Sequence, residues 1–372
     1  MSKLNKYAFS ELYDISSGLS STKEQAGHGA PFASFSTVFN NIFLPEELPD
    51  LMDTSEKEQE AYSIRKGDIL ITRTSETVDE LAMSCVALKD YPKATYSGFV
   101  KRLRPKTTGV AYDRYMAFFL RSKYFRRVID CNTIMTLRAS FNEDMFSFLD
   151  LYLPDYETQV KVGDLLYNIE QKIQKNKRIN DNLQQMAHTA YMHLFFNKPA
   201  NGRISDILIE NSKSSIQVGE AKDVDGDYPF FTSGDAVLCW PEFLVDGRNC
   251  YLNTGGNAGV KYYVGKAAYS TDTWCISARE GLADYLYLLL DSIKQELSQK
   301  YFQGTGLKHL QKPMLKDRPI YIPSSTELES FNQSVVPWLT LISDNIKESQ
   351  RLTLLRDWLL PMLMNGQATI TD

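Results

Sequence analysis

Two apolar seams, spaced like those of paired helices, constrain this chain more than any other feature. From Asp155 to Asn197 the sequence runs without a proline, opening on Pro154-Asp155-Tyr156-Glu157. Asp155 is suited to accept from the free N–H groups of a first helical turn. At alternating steps of four and three lie Val162, Leu166, Ile169, Ile173, Asn176, Asn180, Leu183, Ala187, Ala190 and Leu194. That is a heptad seam with two asparagines near its middle. A helix of this length is roughly 60 Å long and needs a partner along its length.

The partner lies in the same chain. Leu151-Tyr152-Leu153-Pro154 recurs 169 positions later as Ile320-Tyr321-Ile322-Pro323. The seam recurs in phase as Phe331, Val335, Trp338, Ile342, Asn345, Ser349, Leu352, Arg356, Leu359 and Leu363. Asn176 matches Asn345, and Asn180 matches Ser349. A polar residue at a seam position lowers stability and fixes register. One apolar stripe would read as a core helix. Two with the same phase, lead-in and polar interruption read as an internal repeat.

The segments before each helix should then be related domains. Residues 1–153 read as mixed α/β, with a strand within Tyr62–Arg73 and a helix over Tyr115–Val128. The stretch Glu46–Glu60 reads as an acidic, solvated loop. Residues 198–322 read as the second domain, beginning after the break Lys198-Pro199-Ala200-Asn201-Gly202. Gly202-Arg203-Ile204-Ser205-Asp206-Ile207 echoes Ser10-Glu11-Leu12-Tyr13-Asp14-Ile15 at an offset of 192, so the first domain should be about 23 residues longer, with the acidic loop as the extra piece. Tyr228–Gly234 and Asn253–Gly259 look like loops, and Tyr285–Tyr301 looks like the helix matching Tyr115–Val128. The order is domain (1–153), long helix (154–197), domain (198–322), long helix (323–366) and tail (367–372). A pseudo-twofold relation would run the helices antiparallel and make them a spacer.

Net charge is −5, yet Lys101–Arg138 holds ten basic residues against Asp113 and Asp130. Such a run is usually a solvated face; in an acidic chain it is also a local positive field of the kind phosphate contact requires. Five cysteines with no C-x-x-C point to a reducing compartment, and the polar start Met1–Lys6 is unlike a signal peptide, so a cytoplasmic location is expected. No apolar run approaches a bilayer span.

Catalytic chemistry is hard to find. Gly255–Gly259 lacks dinucleotide-loop spacing and leads into a strand-like segment. Gly265-Lys266-Ala267 has alanine where a P-loop needs a magnesium-binding hydroxyl. His188 and His193 are five apart and do not share a helical face. No metal ligand set or nuclease carboxylate set is recognisable.

In the order and duplication of these pieces the chain resembles the specificity subunits of type I restriction–modification enzymes. The resemblance rests on Gly304-Thr305-Gly306-Leu307-Lys308-His309-Leu310 before Ile320–Pro323, on the parallel Leu151–Pro154 lead-in, and on the ending Leu355–Gly366. The first lead-in departs from the pattern: Met135–Ser140 has no glycines. The resemblance implies an α+β fold, with two similar mixed α/β target recognition domains separated by two long helices that pair as an antiparallel coiled coil. Each domain would read one half of a split double-stranded DNA target. The helices would set the spacer and dock two methyltransferase subunits, and motor-nuclease subunits would complete a restriction complex. It also implies no catalytic site or cofactor on this chain, with S-adenosylmethionine, ATP and magnesium on the partner subunits, and no membrane association.

On charge, Lys101, Arg102, Arg121 and Lys308 are expected at phosphates. On loop position, Arg73, Ser97, Gly234, Asn257 and Thr305 are expected near base edges, with Thr136 aligned to Thr305. Asn176, Asn180, Asn345 and Trp338 are expected in the spacer and its partner contacts. The rival readings are a protein-binding coiled-coil adaptor and a stand-alone DNA-modifying enzyme. Salt-dependent DNA binding separates off the first, and methyl transfer by the purified chain the second.

Overall fold

The computed structural model describes residues 4–75, 80–132, 139–222, 224–364, 368 and 370. The chain divides into two compact units, residues 1–171 with 352–372, and residues 172–351. Each long helix therefore contributes to both units. The helices span Tyr156–Leu194 and Ser325–Met364.

Both helix starts are capped by side chains. Asp155 Oδ1 accepts from Thr158 N at 2.9 Å. Ser324 and Glu327 form a reciprocal cap, with Ser324 N donating to Glu327 Oε2 at 2.8 Å and Glu327 N donating to Ser324 Oγ at 3.5 Å. The second helix runs without a break through Pro337.

In the unit 172–351 the helix segments run antiparallel, since rising positions on one meet falling positions on the other. Asn176 donates to Glu348 at 2.7 Å, Asn345 to Asn180 at 2.8 Å, and Lys198 pairs with Glu327. In the other unit Glu170 meets Arg356 at 2.6 Å, while Val162 and Leu166 share a core with Leu363 and Met364. The seam drifts in places: Leu194 is exposed, and Tyr191 and Phe195 are buried instead. A straight 3.6-residue helix slips against a 3.5-residue pattern in this way.

The first unit has a four-stranded antiparallel sheet, in the order Tyr13–Ser17, Val100–Pro105, Ile69–Thr72, Ser84–Val86. A three-stranded sheet joins Asp50–Met52, Ala26–Ala33 and Thr95–Tyr96, the last pair parallel. Asn5–Ala8 pairs with Asp150–Leu153. The second unit repeats this plan: Leu208–Glu210, Thr273–Ala278, Arg248–Asn253, Val260–Val264; then Val237–Trp240, Tyr228–Phe231 and Ala268–Tyr269, again with a parallel last pair; then Gly202–Arg203 with Pro319–Ile320.

Pairing registers give the true equivalences. Tyr7 faces Leu151 as Gly202 faces Ile320. Phe9 N donates to Leu149 O at 2.8 Å, and Ile204 N to Arg318 O at 3.1 Å. The early offset is thus 195, from Tyr7 to Gly202, and not the expected 192. The excess of the first domain over the late offset of 169 is 26 residues. The largest share, 17, falls between Ala33 and Ile69, whose equivalents are Phe231 and Cys250.

That stretch contains the helix Phe35–Asn40. Its acidic part, Glu46–Glu60, is not the plain loop expected from its charge: it holds the strand Asp50–Met52 and most of the helix Glu56–Ala61, capped by Ser55 and with Glu56 and Glu58 in its first turn. Carboxylates there complement the positive end of the helix dipole. Tyr228–Phe231, expected as loop, is a strand whose aromatic side chains suit a pleated surface. The expected helix Tyr115–Val128 is two, Asp113–Phe119 and Lys123–Asn132, and Ser122 Oγ accepts from Phe125 N at 3.3 Å at the restart. Its counterpart, expected over Tyr285–Tyr301, starts two residues earlier as Ala283–Ser292, buried along most of its length, and continues past Ile293 as Lys294–Glu296 and a π-helical turn that ends at Tyr301.

Candidate nucleic-acid interface

In each unit the two sheets meet at a Tyr-Ser step, and a turn built there lies beside the end of a central strand. In the first unit Tyr96 OH donates to Ser17 O at 3.1 Å; in the second, Tyr269 OH donates to Ser212 O. Ser97 N donates to Ala33 O, and Ser270 N to Phe231 O, both at 3.0 Å. The turns close with Val100 N on Ser97 O at 2.9 Å and Thr273 N on Ser270 O at 3.1 Å.

The central strand ends against this turn in the same way twice. Arg73 N donates to Phe99 O at 2.8 Å, and Thr254 N to Asp272 O at 3.1 Å. The lead-in then adds a third segment. Phe141 N donates to Arg73 O at 2.8 Å, and Leu310 N to Thr254 O at 3.0 Å. Each unit thus has a tip of three segments held by matching backbone hydrogen bonds.

The second tip gathers several expected residues. Gly256 N donates to Lys308 O at 2.9 Å, so the Asn257 loop and the Thr305–Lys308 loop lie side by side. Asn257, Thr305 and Lys308 are exposed. Asn253 Nδ2 donates to Asn257 O at 2.9 Å and ties that loop to its strand. Gly304 has φ +150°, and an added Cβ would lie 2.6 Å from Leu307 O, so the loop needs glycine there. Gly234 is exposed after the strand Tyr228–Phe231; its N–H donates to Thr232 Oγ1 at 3.2 Å, and its carbonyl accepts from Lys261 Nζ. Burial pushes the Lys261 ammonium below its ordinary range.

In the first unit Arg73 is exposed and Ser97 is buried at the turn, its Oγ accepting from Phe99 N at 3.2 Å. Thr136 lies outside the described residues. The three cations picked out by the charge run are held inside the unit. Lys101 is buried, with Nζ donating to Ser17 Oγ at 2.9 Å and pairing with Glu143 at 3.3 Å. Arg102 is buried against the Tyr96 ring and donates to Ser63 O at 2.7 Å. Arg121 donates to Ser84 O at 2.6 Å and to the carbonyls of Val38, Phe39 and Asn41 at 2.9, 2.9 and 2.8 Å. Burial lowers the pKa of both guanidinium groups. The run is therefore not one solvated face, and the charge argument for phosphate contact does not extend to these three.

The spacer residues sit on the paired helices. Asn176 and Asn345 are buried, and Asn180 is half-buried between Asn345 and Ile342 O. Trp338 packs against the core of the second unit. Sequence reasoning missed Phe99, Thr254 and Asp272 at the tips. The repeated Tyr-Ser step, 95–98 against 268–271, was the signal that could have found them. It also missed an exchange at one position. Lys101 with Glu143 in the first unit corresponds to Trp274 with Lys312 in the second, where the Lys312 ammonium lies 4.8 Å from the ring centroid.

Known proteins sharing this duplicated plan can now be named. The family model for the type I restriction modification DNA specificity domain matches residues 1–185 and again 200–352. The chain belongs to this family. It carries two specificity domains, as the repeated topology requires. Among curated relatives, the HindI specificity subunit of Haemophilus influenzae is 26% identical over 168 residues, 44% of this chain and 35% of that protein. The EcoDI specificity subunit of Escherichia coli is 24% identical over 166 residues and 37% of its length. The chain thus matches only about a third of the length of these two relatives. The MjaIX specificity subunit of Methanocaldococcus jannaschii is 20% identical over 400 aligned residues, 94% of this chain and 89% of that protein. The fold is shared with the crystal structure of a type I restriction–modification S subunit from M. genitalium, at TM-score 0.66 and 12% identity, covering 100% of this chain and 97% of that one. Among the described residues no helix is long and apolar enough to cross a membrane.

Proposed function

We propose that this chain is the DNA-specificity subunit of a type I restriction–modification enzyme. Each specificity domain reads one half of a bipartite double-stranded target, and the long helices set the unread gap. Two methyltransferase subunits dock on the chain to modify DNA, and motor-nuclease subunits join them for restriction. S-adenosylmethionine, ATP and magnesium belong to those partners, and this chain supplies no catalytic group. The observation that carries the reading is the specificity-domain match to both halves of one chain, supported by a duplicated fold with the same hydrogen bonds at both tips.

The test is a methylome. A host carrying the chain should methylate a two-part motif, and deletion of the chain should remove that motif alone. Methylation by the purified chain without partners, or an unchanged methylome on deletion, would overturn the proposal.

A further inference from the structure

The matching tips hold equivalent backbone positions but present different side chains. Arg73 and Phe99 in the first domain correspond to Thr254 and Asp272 in the second, through the same hydrogen bond between strand end and turn. We propose that these are specificity-determining positions: Arg73 and Phe99 read a guanine and a neighbouring thymine in one half-sequence, and Asp272 reads a cytosine in the other. The inference rests on the function proposed above.

Phe99 is the sharpest observation. Its backbone is pinned on both sides, by Ser97 Oγ on its N–H and by Arg73 N on its carbonyl. The turn is pressed against its neighbour as closely as glycine allows. A Cβ on Gly18 would lie 2.1 Å from Ser97 O, and one on Gly98 2.9 Å from Leu19 O. Yet Phe99 is 61% exposed. Single exposed apolar residues are ordinary on protein surfaces. This one is fixed at the backbone, left open at the ring, and set beside an exposed arginine. Among the described residues the Arg73 guanidinium has no hydrogen bond or ion pair.

Asp272 is its equivalent and is also exposed, with its carbonyl accepting from both Thr254 N and Thr254 Oγ1, the latter at 2.9 Å. A bare carboxylate is repelled by a phosphate backbone, so its presence on a DNA-reading tip argues for a base-edge donor as its target. Exposed Lys308, tied to the same tip through Gly256, supplies a compensating cation. In the major groove arginine matches the two acceptors of guanine, an apolar side chain meets the thymine methyl group, and a carboxylate accepts from the cytosine amino group. Rigid backbones suit this task, because readout depends on holding a few side chains at fixed places.

The experiment places Arg73→Ala, Phe99→Ala, Phe99→Leu and Asp272→Asn singly in the full chain in its host. It reads the methylated motif, and the thermal transition of each purified protein. The wild-type motif should contain a G and a T in one half and a C in the other. Arg73→Ala and Phe99→Ala should relax discrimination at neighbouring positions of the same half, by roughly 5- to 150-fold at the position of the bidentate arginine contact. Asp272→Asn should relax one position of the other half. Phe99→Leu, which keeps an apolar contact, should retain the wild-type motif. All four should melt with wild type, since the side chains are exposed. If an alanine variant methylates nothing, an intact motif in Phe99→Leu still supports the inference, and its loss there as well overturns it. Unaltered half-sequences in folded Arg73→Ala, Phe99→Ala and Asp272→Asn, or relaxation in both halves at once, also overturn it while leaving the proposed function standing. A wild-type chain that directs no bipartite motif would overturn both.

Discussion

Replacing Arg121 by methionine should destabilise the first specificity domain without altering the side chains at its tip. The guanidinium closes the C-terminal end of the helix Phe35–Asn40, where Val38, Phe39 and Asn41 offer carbonyls that no later turn can use. It also bonds Ser84 O at 2.6 Å, joining that helix end to an edge strand of the main sheet. Hydrogen bonds to a charged group contribute about 1.5–3 kcal/mol each. One Nη2 group has two hydrogens for three carbonyls, so those bonds are shared, and water entering the methionine variant would satisfy part of what is left. The net loss should be about 3–5 kcal/mol, in the range of a broken buried charged network. For a unit of this size that is a fall of roughly 6–20 °C in Tm. Arg121→Lys should recover only part of it, because one ammonium cannot reach both the helix end and Ser84. The assay is thermal unfolding by circular dichroism, alongside DNA binding across a salt series. If Arg121→Met melts within about 0.5 kcal/mol of wild type, and instead lowers affinity for all sequences alike with a salt slope smaller by about one, the residue is a phosphate contact and the capping argument is wrong.

Lys308→Ala should do what Arg121→Met should not: weaken binding to every sequence, reduce the salt slope by about one, and leave the melting curve in place. On the paired helices, Asn345→Leu alone strands the Asn180 carbonyl oxygen and should cost about 1–3 kcal/mol, whereas Asn180→Leu with Asn345→Leu should restore or exceed wild-type stability; equal losses in both proteins would refute a register role for the pair. The Lys198 ammonium and Ser324 hold Glu327 down to about 2 from an ordinary 4.5. A depressed carboxyl contributes stability that is complete above the unfolded value and is lost as pH falls from about 4.5 toward 2. Glu327→Gln should therefore be less stable than wild type at neutral pH and converge with it through that window, and a constant difference across an acid titration would refute the assignment.

How much could be read in advance depended on which interaction left a periodic trace. The paired helices were legible because apolar burial repeats along the chain: Val162, Leu166, Phe331 and Val335 are all buried as the seam requires. The seam failed at Leu194, where helical drift hands burial to Tyr191 and Phe195. The early repeat was misaligned by three residues because Asp14-Ile15 and Asp206-Ile207 match in identity. The structural match is between Glu11 and Asp206, each accepting from the N–H of the residue three before it, Ala8 and Arg203. The basic run was the larger misreading. Counting charge cannot show that Lys101, Arg102 and Arg121 turn inward to a carboxylate and to backbone carbonyls, since those acceptors come from residues 16 to 143.

Under the proposed function, the same comparison explains how one fold would serve two half-sequences. The bonds that repeat are nearly all backbone bonds: Ser97 with Ser270, Arg73 with Thr254, Phe141 with Leu310. These depend little on side-chain identity, so the side chains on the frame are free to differ. They do differ, both at the tip and behind it. Phe99 corresponds to Asp272, and the Lys101–Glu143 ion pair corresponds to the packing of Lys312 on Trp274. An ion pair and a cation on an indole ring join the same two elements, the strand beside the turn and the short helix after the lead-in, by different chemistry. A frame held by its backbone can change the side chains it presents without changing how it folds, and duplication of that frame gives one chain two tips that differ independently.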